Sequence, residues 1–475
     1  MIRAARRLLA PTIASLALVA GLAAAPQQAR AETLADALAS AYEHSGLLEQ
    51  NRALLRAADE GVAQALSQLR PIVSWGSELT HTFSNTKSAA SNFVAVANSG
   101  TSASLSLSAQ LVVYDGGQSQ LGVEIAKESV LSTRQALLSL EQQVLLRAAN
   151  AYLEVRRASE FLALRQNNVR LITQELRAAR DRFEVGEVTR TDVALAEARL
   201  AAARSGLAAA QGQLAQANLE YIAAVGHKPG RLSPAGGLPR LPGTADAALA
   251  VALRQHPDML QAQKEATVAD LRVMLADAAL SPTLSLTGRV GHTENFGSPA
   301  NNFGGSIGLS ANQTIYDGGR LSSLQRQAMN NRDAARSNLH VVSHTIRQNV
   351  GIAISALQVQ RASAQASDQQ VRAAQLAFRG TREEATLGAR TTLDVLNAEQ
   401  ELLDARANLI SAQVDEIAAG YTLLSAMGEL TAQKLNLKVR IYDPAGYYNM
   451  IKDAPAGLSE QGKSLDRVLR RIGKD

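Results

Sequence analysis

The residues best placed to do chemistry come in matched sets. Gly186-x-x-Thr189-x-x-Asp192 recurs 202 positions later as Gly388-x-x-Thr391-x-x-Asp394. A glycine that ends one helix, a threonine that caps the next and an aspartate three residues on make a capping box. Each set therefore predicts the turn of a helical hairpin, and capping by itself accounts for the Gly, Thr and Asp. A second reading has such turns converging on an axis, where Asp394 and Asn397, one helical turn apart, line a narrow opening. Like charges gathered there select cations and repel one another, so something must hold the ends shut. Arg390 stands in the second turn where the first has Val188, an asymmetry suited to a latch. Tyr114-Asp115-Gly116-Gly117 also recurs, as Tyr316-Asp317-Gly318-Gly319. This is turn chemistry, with glycines supplying permissive backbone angles, and no Lys or Ser/Thr completes a phosphate loop. His81 and His292 hold matching positions far apart in the chain and read as polar residues near loops rather than metal ligands. No Gly-x-Ser-x-Gly, no His-Glu-x-x-His and no cysteine occurs. No enzyme, cofactor or metal centre is expected.

The elements that must position these residues follow from the same repetition. Upstream of the Tyr-Asp-Gly-Gly sets the offset is 211, matching Pro71 with Pro282 and His81 with His292, so nine extra residues lie between about 84 and 113. Each repeat reads as helix, strand, loop, strand, long helix, turn, helix. Ala-rich helical patterns over 33–69 and 245–280 stop before Pro71 and Pro282, because proline cannot continue a helix. Beyond each proline the period falls from 3.6 to 2. Leu105, Leu107, Ala109, Leu111 and Val113 alternate with Ser104, Ser106, Ser108 and Gln110, and Ile307, Leu309 and Ala311 alternate with Ser306, Ser310 and Asn312. Looser alternation around 73–83 and 284–290 marks their partners. The polar faces are Ser, Thr and Asn rather than charged, and each apolar band nears the ~9 to 11 residues that a tilted strand needs to cross a bilayer. Membrane strands are therefore expected, with Trp75, Tyr114 and Tyr316 near their ends and exposed loops at 85–100 and 295–304.

The clearest element is a helix over Gln118–Glu184, where Val144, Ala148, Ala151, Val155, Ala158, Leu162, Val169, Ile172, Leu176, Ala179 and Phe183 keep a coiled-coil spacing. The shorter helices, 33–69 and 190–225, together match its length and could stack end to end beside it. Four prolines and four glycines in 227–244 mark a linker. The domains expected are a signal segment 1–31, repeats 32–228 and 245–430 about the linker 229–244, and a C-terminal equatorial segment 431–475 ending in a flexible, poorly ordered tail without periodicity.

Arg3, Arg6 and Arg7 precede an apolar stretch and Ala29-Arg30-Ala31, the pattern of an export signal with its cleavage site. Its removal lowers the formal net charge from +5 to +1 and with it any case for nucleic-acid binding. Aromatic residues are 4% of the 475, which suits helices packed through small side chains.

Together these features resemble the TolC family of outer-membrane efflux and type I secretion ducts. The likeness rests on the repeated helix-Pro-strand pattern, the Tyr-Asp-Gly-Gly junctions, the run from Gly388 through Arg390, Thr391 and Asp394 to Asn397 and Glu399, and Tyr442-Asp443-Pro444 ahead of Tyr447-Tyr448. The resemblance implies a predominantly helical fold with β-structure. It further implies a homotrimer with a 12-stranded outer-membrane β-barrel continuous with a 12-helix periplasmic coiled-coil tunnel, built on an internal duplication. It also implies a periplasmic adaptor (membrane fusion protein), an inner-membrane RND or ABC transporter and outer-membrane lipid as partners. Its gate would link Arg390 to Thr191 and Asp192, with a constriction at Asp394 and Asn397. Two departures stand out: Asn397 replaces a second Asp of some members, and Ala385 stands where the best-known member has a gate tyrosine. The alternatives are a soluble periplasmic coiled-coil adaptor, which lacks paired amphipathic strands, and a surface adhesin or receptor acting through the outer loops.

Overall fold

The structure is a computed structural model that describes residues 31–472 apart from 88, 92, 239, 298, 300 and 458. All of the expected signal segment but Ala31 lies outside the described residues. One order of elements runs through twice. The first half has α1 (Leu34–His44), α2 (Gly46–Ser67), β1 (Ile72–Thr86), β2 (Val96–Tyr114), α3 (Gln118–Glu184) and α4 (Arg190–Val225). The second has α5 (Ala245–Gln255), α6 (Pro257–Ala278), β3 (Thr283–Phe296), β4 (Asn301–Asn312), α7 (Arg320–Thr386) and α8 (Thr392–Ala426). Then come α9 (Pro444–Ile451) and α10 (Glu460–Ile472).

Both α3 and α7 run for 67 residues, rods of roughly 100 Å at the rise of an α-helix. The shorter helices α2 and α4 pack along α3, and α6 and α8 along α7, while α3 also meets α6 and α8 across the two halves. Ala148, Ala151, Val155, Ala158, Ile172, Leu176 and Ala179 of the expected seam are buried, though Phe183 at its end is exposed. Small side chains let the rods approach closely, and the largest core cluster forms where they meet the linker and the C-terminal segment. There Tyr152, Tyr221, Leu38, Leu48, Leu55, Leu145 and Leu430 are fully buried. Tyr221 donates to Glu32 Oε1 (2.5 Å) and Tyr152 to the Ser233 carbonyl (2.7 Å), tying the segment ahead of α1 and the linker to the rods.

Three sequence expectations need correction. The helices expected over 33–69 and 245–280 are each broken in two. At Ser45 the side chain accepts from the Leu48 amide and starts α2 afresh. At His256 the following Pro257 takes the first position of α6, where its missing N–H costs nothing. Second, the strands are longer than their alternation indicated. Pairing continues to Thr86↔Val96 and Glu294↔Asn301, so the loops shrink to 87–95 and 297–300. Polar, exposed residues carry no period to read, yet their backbones still pair. Third, the tail holds a helix, α10, whose Leu465 and Leu469 pack against Ala63, Tyr447 and Ile451.

The four strands form one antiparallel sheet in the order β1-β2-β3-β4. Register places Ser74 opposite Ser108, Ser108 opposite Arg289 and Arg289 opposite Ser306. One face is therefore mostly Ser, Thr, Gly and Asn, with Glu78 and Arg289 among them, and the other carries Trp75, Leu79, Phe83, Leu105, Leu107, Leu286, Val290, Phe303, Ile307 and Leu309.

Candidate functional site

The hairpin turns are built as their residues dictate. Gly186 and Gly388 take left-handed angles (φ +80° and +78°) that a side chain would strain. In the first hairpin the Thr189 amide donates to Asp192 Oδ2 (2.9 Å) and the Asp192 amide to Thr189 Oγ1 (3.3 Å); in the second, Thr391 and Asp394 repeat this at 3.0 and 3.2 Å. The Thr189 hydroxyl foremost holds the Asp192 carboxyl below its ordinary range, and the Thr391 backbone bond foremost does so for Asp394. Both turns thus keep a negative charge. Thr191 and Asn397 are exposed beside them.

Arg390 pairs with Glu384 of its own hairpin (2.9 Å), which stabilises the charged guanidinium. Among the described residues it makes no hydrogen bond or ion pair to Thr191 or Asp192 of the same chain. Asn397 accepts from Arg199 of the first hairpin (3.0 Å). Two more ties between the hairpins have no counterpart in the expected gate. Asn168 donates to Glu399 in the interior (2.5 Å), and Arg382 pairs with the buried Glu175 (3.4 Å). Burial raises the Glu399 pKa, against the pull of the Asn168 hydrogen bond. Leu396 of α8 completes the cluster of Ile172, Leu176 and Ala196, and Leu171 of α3 joins that of Phe378 and Val395. Asn168 lies beside the seam position Val169 rather than in the seam, whose one interruption is Arg165, so the apolar spacing carried no signal for this contact. Ala385 is buried among Ala374, Phe378 and Val395.

At the other end of the rods the apolar face of the sheet lies open, with Trp75, Phe83, Phe303 and Ile307 at least 73% exposed. Trp75 and Phe83 share that face, and their spacing of eight residues covers roughly 26 Å of strand, about 20 Å of bilayer at the tilt of membrane strands. The Tyr-Asp-Gly-Gly sets make the strand-to-helix corners. Asp115 accepts from the amides of Gly117 (3.0 Å) and Ser119 (2.8 Å), and Asp317 from that of Leu321 (3.0 Å). Gly116 also sits against the end of α6, where a Cβ would fall 2.4 Å from that of Ser281. Its counterpart Gly318 has no atom within 4 Å of that position. Tyr316 and Ile315 beside it are exposed as well.

The sequence profile of the outer membrane efflux protein family matches residues 37–227 and 248–429, one block in each half. The chain is an outer-membrane efflux protein. It is 36% identical to the outer membrane efflux protein BepC of Brucella suis over 94% of this chain and 96% of that one. It is 27% identical to the outer membrane protein TolC of Escherichia coli over 84% of each chain. The fold is similar to the solved Campylobacter jejuni CmeC outer membrane channel, with a TM-score of 0.75 over 90% of each chain at 16% identity. Paired amphipathic strands, hairpin tips at the far end of long rods and an efflux family agree with one another, and a soluble adaptor is set aside. No helix among the described residues is long and apolar enough to cross a membrane.

Proposed function

We propose that three copies of this chain close into a passive exit duct: a 12-stranded barrel in the outer membrane above a tunnel of 12 helices. The observation that carries this reading is the four-stranded sheet with two unpaired edges, β1 and β4, and a bare apolar face. An open edge cannot stand in hydrocarbon, because its backbone donors and acceptors have no partner there. Closure needs further copies. Two would give eight strands, a barrel with room for little beyond its own side chains; three is the smallest ring that leaves a lumen. The open surroundings of Gly318, and Val341, Ile352, Val359 and Leu376 exposed along α7, fit a neighbouring copy at that flank. The repeated order of elements fits an internal duplication.

The duct lets cargo through and does no work, so its energy comes from an inner-membrane RND or ABC transporter, joined through a periplasmic adaptor. Its cargo is small molecules, secreted proteins or both. The hairpin tips form the gate: Asp394 lines the constriction, with Asn397 beside it, and Arg390 latches onto Thr191 and Asp192. Since Arg390 makes no such link within one chain, the latch runs between copies. In planar bilayers Arg390→Ser should raise single-channel conductance severalfold. Unchanged conductance would remove Arg390 as the latch, and a monomeric protein freely soluble without detergent would remove the duct itself.

A further inference from the structure

We propose that Arg289 makes a ring of positive charge inside the barrel and gives the outer end of the duct a preference for anionic cargo. This deepens the duct reading and rests on it. Arg289 is the seventh of the 14 residues of β3, and its neighbours in register are Ser108 on one side and Ser306 on the other. Ser74 continues the row on β1. These residues share the polar face, opposite the one bearing Leu107, Val290 and Ile307, so in a closed barrel they face the lumen. Small side chains dominate that face: Gly76, Ser104, Ser106, Thr287, Gly291, Gly304 and Gly308. Little else fills the space or competes for an ion there.

Glu78 is the other charged residue on this face. It lies four positions further along, in the row of Ser104 and Thr293, and accepts from Thr80 Oγ1 (3.1 Å). No ion pair joins it to Arg289 among the described residues. The Arg289 guanidinium instead reaches Ser106 Oγ (3.4 Å), a neutral partner that orients it and leaves it without a directly paired acid among the described residues. Threefold closure sets three such charges at one level, within walls of low dielectric that concentrate their field in the lumen. The duct is then acidic at its tip and carries a basic ring within its barrel, a level further in than the three Glu78 carboxylates. An anion leaving the tunnel meets the basic ring first, and a cation meets a barrier there.

The test compares the Arg390→Ser protein with its Arg289→Lys, Arg289→Ser and Arg289→Glu derivatives in planar bilayers, reading reversal potentials across KCl gradients. Arg289→Lys should match the parent. Arg289→Ser should raise the potassium-to-chloride permeability ratio roughly twofold near 10 mM salt, where screening reaches about 30 Å, and hardly at all at 1 M, where it reaches about 3 Å. Arg289→Glu should raise it further. Equal ratios in all four at low salt overturn the proposal and leave the duct standing, whereas absence of channels from the parent overturns the duct itself. A second route avoids any folding difference between variants. The chain has no cysteine, so Arg289→Cys can be labelled after purification with a cationic or an anionic methanethiosulfonate. The cationic label should restore the parent selectivity and the anionic label oppose it; a cysteine that reacts with both and shifts nothing sinks the ring.

Discussion

Asp59 and Arg134 in the first half of the chain, and Asp270 and Arg336 in the second, hold equivalent places at the offsets of 211 and 202 that relate the two halves. Both are acid–base pairs between a short helix and the long helix beside it. Their surroundings differ. Asp270 meets Arg336 at 2.8 Å with its side chain 43% exposed, whereas Asp59 is fully buried 3.9 Å from Arg134. Among the described residues, both Asp59 oxygens and Arg134 Nε lack a hydrogen-bond partner. What separates them is the C-terminal segment, which packs on α2 and its neighbours α1 and α3 in the first half. Tyr448 stacks under the Arg134 guanidinium, Tyr447 donates to Glu60, and the Tyr442 amide donates to Tyr42 Oη (3.1 Å). One ion pair is a solvated surface contact, and its twin is a strained interior one. Position in a repeat sets which residues meet; what covers them sets the chemistry.

The largest effect should come from removing the cover. Ending the chain after Tyr442 deletes Tyr447 and Ile451, both buried, and should cost about 4 kcal/mol or more of stability. It should also let water reach Asp59, so that the first pair comes to behave like the second. Thermal melting of the detergent-purified protein at several pH values reads both effects. A truncated chain that melts like the full one would show that the segment merely rests on α2.

Next is the buried acid itself. Burial pushes the Asp59 carboxyl up from 3.8 to about 6, against the pull of Arg134. Between these values the unfolded chain has released its proton while the folded chain still holds it, so the unfolded state gains as pH rises. The stabilising contribution is complete below about pH 4 and lost as pH climbs through 6, a change of roughly 3 kcal/mol for a shift of this size. Asp59→Asn should flatten that slope and raise the melting midpoint at pH 7.5. A midpoint unchanged at pH 7.5, or a slope as steep as before, would show that Asp59 stays ionised beside Arg134 throughout.

Much of this architecture could be read in the chain, and the limits of that reading have physical causes. The bounds of α3 and α4 and both capping boxes follow from local rules, where one residue type serves one backbone geometry. Ser45 ended a helix without any change of composition around it, so its break passed unseen. The covering of Asp59 depends on residues nearly 400 positions away, and no periodicity reports that. Yet the pairs were recoverable in principle, since Asp59 and Arg134 each recur at the local offset. Of the hairpin turns, Gly, Thr and Asp could be placed from spacing alone, whereas the ties of Asn168 to Glu399 and Arg199 to Asn397 depend on how two hairpins lie side by side.

The hairpin caps supply the opposite case, a repeated feature with no difference in environment. Thr189 and Thr391 are both exposed and make the same bonds within 0.1 Å. Thr189→Ala and Thr391→Ala should each cost about 1 kcal/mol of local helix stability. Hydrogen exchange in the first turns of α4 and α8 should speed up equally. Unequal acceleration would mean that the Arg199–Asn397 and Asn168–Glu399 ties, which reach α8 just beyond its first turn, hold that hairpin independently of its cap.

The smallest effect is expected at Asp270, and it is the most discriminating. An exposed pair gains little from its contact, because water solvates both charges and salt screens them; such pairs are worth about 0.2 to 1 kcal/mol. Asp270→Asn should lower the melting midpoint by a degree or so, leave the pH profile unchanged and lose even that effect at high salt. If three copies close into a duct as proposed, a neighbouring chain packs somewhere against this half of the molecule. If it covers Asp270 as the C-terminal segment covers Asp59, the substitution should instead stabilise the protein at neutral pH, as expected for Asp59→Asn. A small, salt-sensitive loss keeps the second pair in water within the assembly, and a pH-dependent gain places it at an interface between copies.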